Sequence, residues 1–267
     1  MGKPAYLYKD YIKSVHWSMA IVDAGGDCVD PNFPIANLGN EQVALVCRTD
    51  AKVAVKVRIN LGNNQSLRQW AILNHNFSAG TLDINSYTAA DFVTGKVTEA
   101  DDVAIRCLDM HEYITNPNSR KYWELDLTNV TTPASYFEIG RIMCHTVPVI
   151  LTDMYDIRRG RGYGFKNIVN ETTHGIRWVH KVYKQRESFQ LTWERRKNTY
   201  IPSELKTLYD TVYGDAYPFL FIPNIDGKSC YYVSIANPEL QWTTLDIGTE
   251  FTEGVQLDLI EEVRGKS

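Results

Sequence analysis

The 267-residue chain has no closely spaced cysteine pair; Cys28, Cys47, Cys107, Cys144 and Cys230 are scattered along it. Zinc sites need ligands at short, defined spacings, and disulfide scaffolds need an even, patterned set, so reduced thiols are expected. A long apolar run is also missing. The opening MGKPAYLYKDY is too polar for a signal or an anchor, so no membrane insertion is expected and the protein is read as soluble. Nor is there an excess of basic charge. The formal net charge is −4, whereas a general nucleic-acid binder needs a basic field to displace counterions from phosphate, so no nucleic-acid specificity is expected. No serine, cysteine or histidine falls into a recognisable catalytic order, and no catalytic, cofactor-binding or metal-binding residue is assigned.

What is present suits a β-rich globular chain. Hydrophobic residues make up 44%, enough for a sizeable core, and aromatic residues 12%. The dominant period is two. Val53, Val55, Val57, Ile59 and Leu61 share one face, while Ala54, Lys56, Arg58 and Asn60 take the other. That alternation predicts a half-buried antiparallel strand. Further strands are predicted at 43–48, 68–74, 81–87, 103–108, 121–128 and 136–144. Turn residues such as Gly62-Asn63-Asn64, Ala79-Gly80 and Asn116-Pro117-Asn118 separate them. Short strands at this spacing indicate a β-sandwich or jelly roll.

The stretch 152–175, containing RRGRGYGF, interrupts the pattern. It predicts domains at 1–152 and 176–267 with a linker over 153–175. Gly160, Gly162 and Gly164 lack the strand–helix context of a phosphate loop, and Arg158, Arg159 and Arg161 are read as available to an acidic neighbour. The second part is expected to be β-rich α+β, with strands at 176–183, 188–194, 217–222, 230–236, 239–245 and 254–262. Its principal helix starts at a Ser203 N-cap, carries Leu205, Leu208, Tyr209 and Val212 at helical spacing, and closes at Gly214. YPFLFIPN at 217–224 reads as core ahead of an association surface.

Individual candidates are weighed against plain alternatives. His75, in Asn74-His75-Asn76, is read as a sheet corner before a ligand contact or a catalytic base. Glu99, Asp101 and Asp102 match no calcium loop and read as a solvated turn. His111 beside Glu112 is too small a set for zinc. WERRKNTY at 193–200 reads as a polar hairpin tip. Tyr87 and Tyr113 read as ordinary rim residues ahead of aromatics that stack on a sugar.

An ordered motif set then stands out. It comprises Asn37-Leu38, Asn60-Leu61-Gly62, His75-Asn76, Arg120 with Tyr122-Trp123, and Glu138-Ile139-Gly140-Arg141-Ile142. Over about residues 30–147 it resembles the galactose-binding-like (discoidin-type) jelly roll. The flavour of HNFSAGT and YFEIGRI is similar to such domains in tail proteins of tailed bacteriophages. The layout FQLTWERR, SELKTLYDTVY, YPFLFIPN and YYVSIANPELQW resembles tail-tube and distal-tail proteins. The resemblance implies a mainly β, non-enzymatic virion subunit at the tail, made in the host cytoplasm. Its expected partners are its own copies in a ring, other tail proteins, and a host glycan. The alternative function is a carbohydrate-binding module for a host surface polysaccharide, and a cell-wall hydrolase stands third.

Overall fold

The computed structural model describes residues 5–7, 18–23, 26–40, 44–50, 55–105, 109–151, 156–162, 167–171, 177–181, 186–193, 196–197, 203–212, 217–236, 244–246, 250–252 and 255–262. The protein is mainly β, with one α-helix among the described residues. None of its helices there is long and apolar enough to cross a membrane. The chain divides into two compact units. One comprises Met1–Ile150 with Leu220–Tyr231 and Arg264–Ser267, the other Leu151–Phe219 with Tyr232–Val263.

The first unit is a β-sandwich. Its strands are β1 (Ser18–Asp23), β2 (Val55–Gln65), β3 (Gln69–Leu73), β4 (Ala79–Tyr87), β5 (Val97–Ala104), β6 (Met110–Tyr113), β7 (Arg120–Thr131) and β8 (Arg141–His145). The larger sheet runs Gly26–Asp27, β1, β2, β7, β4, β5, and the smaller runs β8, β3, β6. Every pairing in both is antiparallel. Alternation explains the assembly. Val55, Val57, Ile59 and Leu61 of β2 and Trp123, Leu125 and Leu127 of β7 are all buried, so their apolar faces meet the smaller sheet. Trp70 of β3 and Trp123 of β7 join the two layers, with ring centroids 5.6 Å apart.

Several expectations shift. The predicted strand 136–144 is two pieces, Glu138–Ile139 and β8, because the Gly140 N–H turns aside to the carbonyls of Leu73 and Asn74. The acidic run at 99–102 is not a solvated turn but part of β5. Register shifts between Leu82 and Ile84, and between Ile84 and Asn85, let this strand carry its charges on an irregular edge. Ala79-Gly80 likewise opens β4 rather than forming a free turn. Ala5–Leu7 pairs with Leu220–Ile222, whose side chains are buried, while Tyr217 is 49% exposed, so only the centre of YPFLFIPN is core.

In the second unit the sheet order is β9 (Asp156–Gly162), β10 (Arg186–Trp193), β12 (Val255–Glu261), β11 (Tyr231–Ile235). Thus Arg158, Gly160 and Arg161, in the stretch read from sequence as linker, lie in a strand registered against Gln190, Ser188 and Glu187. Asn167–Glu171 forms a hairpin with Arg177–Lys181. Helix α1 (Ser203–Thr211) buries Leu205 and Leu208, with Val212 just beyond it. Gly214 and much of 239–245 lie outside the described residues.

Candidate functional site

The first candidate, His75, sits where β3 ends. Asn74 takes φ +51, and its N–H donates to buried Asp109 at 2.6 Å. His75 is 3% exposed; its Nδ1 accepts the Phe77 N–H at 3.2 Å, and its ring stacks on Phe77 at 4.7 Å. Asn76 clips the corner to the strand opposite. Its N–H reaches the Glu138 carbonyl, its Oδ1 accepts the Glu138 N–H at 2.9 Å, and its Nδ2 donates to the Tyr136 carbonyl at 2.9 Å. Arg48 completes the corner. Its guanidinium lies 3.7 Å from the Phe33 ring centre and 4.0 Å from that of Tyr136, and its Nε donates to Glu138 at 3.1 Å. Two parts of the motif set, His75-Asn76 and Glu138, therefore meet at this corner, where Asn76 and the Glu138 backbone serve one another.

The acidic run behaves differently from its sequence grouping. Ligand atoms of Asp83, Asp101 and Asp102 lie within 4.8 Å of one another. Asp83 also accepts the Asp102 N–H at 2.9 Å. Glu99 belongs elsewhere: Ser86 Oγ donates to it at 2.5 Å, and the Asn118 N–H lies 3.2 Å from both its oxygens. His111 and Glu112 also part company, because neighbours on a strand face opposite ways. His111 is 1% exposed and its Nδ1 lies 3.0 Å from Gln69 Nε2. Burial, reinforced by the Lys228 charge and opposed by the Asn224 backbone, pulls its pKa from 6.5 to about 4. Glu112 instead forms an ion pair with Lys228.

That ion pair lies in an open groove of about 600 Å³ along the sandwich edge. One wall is β5, with Glu99, Asp101 and Asp102; the other carries Glu112, Tyr113 and Lys228. Lys228 arrives from a distant turn. The Asn224 carbonyl accepts the Gly227 N–H at 2.9 Å, the Lys228 carbonyl accepts the His111 N–H at 3.0 Å, and Ser229 bridges to Met110. Of the two tyrosines considered from sequence, only Tyr113 is in the groove. Tyr87 is 2% exposed, too deep to stack on a ligand. The side chains of Arg158, Arg159 and Arg161 and of WERRKNTY lie outside the described residues.

No family model and no curated protein matches the chain. Solved structures do match part of it. The module CpGH89CBM32-6 of Clostridium perfringens covers 52% of this chain and 100% of its own, at 8% identity and a TM-score of 0.41. The family 32 carbohydrate-binding module of C. perfringens NanJ, in complex with galactose, covers 53% and 98% at 10% identity and 0.38. A Ruminococcus gnavus GH29 fucosidase in complex with fucose covers 52% of this chain and 26% of its own, at 10% and 0.42. Likeness at this level speaks of neither ligand nor activity.

Proposed function

We propose that this protein is a non-catalytic glycan-binding protein whose jelly roll holds a saccharide in the edge groove. The observation that carries this reading is the groove itself: an open cleft with a tyrosine beside hydrogen-bonding side chains. A sugar presents an apolar C–H face and a rim of hydroxyl donors. Tyr113, at the end of β6, is the aromatic residue of the lining that would meet the first, and the carboxylates would accept from the second in charge-assisted bonds. Hydrolysis is a poorer fit. It needs two carboxyl groups free to face each other across the bond to be cut, whereas Glu112 is paired with Lys228 and Glu99 accepts from Ser86 and the Asn118 N–H. The test is a glycan array followed by titration calorimetry. Saturable binding that Tyr113→Ala abolishes supports the reading, and silence across bacterial and host polysaccharides sinks it.

A second reading places this module in the tail of a tailed bacteriophage, as a ring-forming distal-tail or tube-associated subunit of the virion. Its support is the ordered motif set of the first unit, together with the strand–helix–strand succession of β10, α1 and Phe219–Ile222. Closed cyclic assembly would multiply weak sugar contacts into avidity. Mass measurement in solution and electron microscopy test it; a monomer at high concentration speaks against it.

A further inference from the structure

Resting on the glycan reading, we infer that the groove selects saccharides bearing a free, protonated amine, which take the place of Lys228 as the counter-ion of Glu112. The Glu112 side chain is only 13% exposed, so its charge is largely removed from water and depends on a cation beside it. Lys228 supplies that cation, yet its own side chain is 37% exposed and rides on a flexible four-carbon stem. The ammonium can therefore swing into solvent, provided that another cation replaces it. The groove's other charged side chains, Glu99, Asp101 and Asp102, are all acidic.

Ligand classes separate on this arrangement. An amino sugar brings its own positive charge, releases Lys228 to water and leaves Glu112 matched throughout. A neutral or N-acetylated sugar must leave the Lys228 pair in place, and so meets a narrower groove. An acidic sugar meets four carboxylates and is repelled. Lys228 acts here as a specificity-determining residue, because it competes with the ligand's amine for one carboxylate.

Titration calorimetry on the full chain tests this with a β-1,4-linked glucosamine tetramer and its fully N-acetylated counterpart, at mildly acidic pH. The expected result is at least about tenfold tighter binding of the free amine, equivalent to one decade in Kd, with the advantage shrinking as salt is raised. Glu112→Gln should erase the preference, and Lys228→Met should enlarge it by removing the competitor. Equal or tighter binding of the acetylated tetramer, abolished by Tyr113→Ala, overturns the inference and leaves the glycan reading standing. No binding of either tetramer or of any arrayed glycan overturns both. A preference that survives Glu112→Gln overturns the counter-ion exchange. Should Glu112→Gln fail to fold, Lys228→Met decides alone, and unchanged amine affinity in it overturns the inference.

Discussion

Tyr87 donates its phenolic hydrogen to Glu124 across 2.6 Å, on the face of the larger sheet turned away from the smaller one. Glu124 is only 1% exposed there, with Arg58 Nε 2.9 Å from its other oxygen. Phe92 covers the network, its ring 5.5 Å from Tyr87 and 5.9 Å from Tyr122. Burial first, then the bond to Glu124, pushes the Tyr87 hydroxyl well above its ordinary pKa. Tyr87→Phe leaves a buried carboxylate oxygen short of a donor. Urea unfolding should show a loss of about 1–3 kcal/mol. An unchanged midpoint would show that Arg58, and Lys56 with its Nζ 3.6 Å from the oxygen Tyr87 donates to, satisfy Glu124 without it.

The tryptophan contact between the sheets is the other concentrated source of stability. Trp70 and Trp123 are 1% and 0% exposed, so neither can be truncated without opening a cavity. Trp123→Ala should cost about 3–5 kcal/mol in denaturant unfolding. Trp123→Phe, which keeps most of the ring, should cost clearly less.

His111 makes stability depend on pH in a defined direction. Its imidazole titrates near 6.5 in the unfolded chain but at about 4 in the fold. Between those values the unfolded state binds more protons, so acid favours it. The contribution is fully present above 6.5 and is lost as pH falls towards 4. Stability of the wild type relative to His111→Gln should therefore fall in this window, by at most about 1.4 kcal/mol per pH unit. A pH-independent difference, measured by chemical denaturation, would argue that the ring is not buried as described.

Gly80 offers a backbone test. It takes φ +133, and a Cβ placed on it would lie 2.7 Å from the Val130 Cα. It sits where the pairing of β4 with β7 slips between Thr128 and Thr131. Gly80→Ala should lower stability by more than about 1 kcal/mol, read as a drop in Tm, because the backbone itself would have to shift.

The alternating strands were open to inspection because a sheet with one buried face writes its period into the sequence. β2 and β7 are the cases in point, and α1 declared itself by its apolar spacing. What stayed hidden broke that rule for physical reasons. β5 is an edge strand whose irregular register frees it from strict alternation, so Glu99, Asp101 and Asp102 looked like a turn. Asp156–Gly162 holds its place by backbone pairing with β10, which arginines and glycines allow but do not announce. The candidate site was visible only as fragments. Tyr113 and the acidic run were noted separately, while Lys228 reaches Glu112 from 116 residues away and left no local signal.

That reach of Lys228 bears on where the protein can be cut. The compact unit that contains the groove takes in Leu220–Tyr231 as well as the residues before Ile150. A fragment ending at Ile150 would keep both sheets of the sandwich but lose the backbone bond to His111, the Ser229 bridge and the ammonium facing Glu112. Expressed alone, it would keep the sandwich strands and lack the cation that faces Glu112. Any domain-mapping experiment on this chain therefore has to treat the jelly roll as a discontinuous piece of sequence.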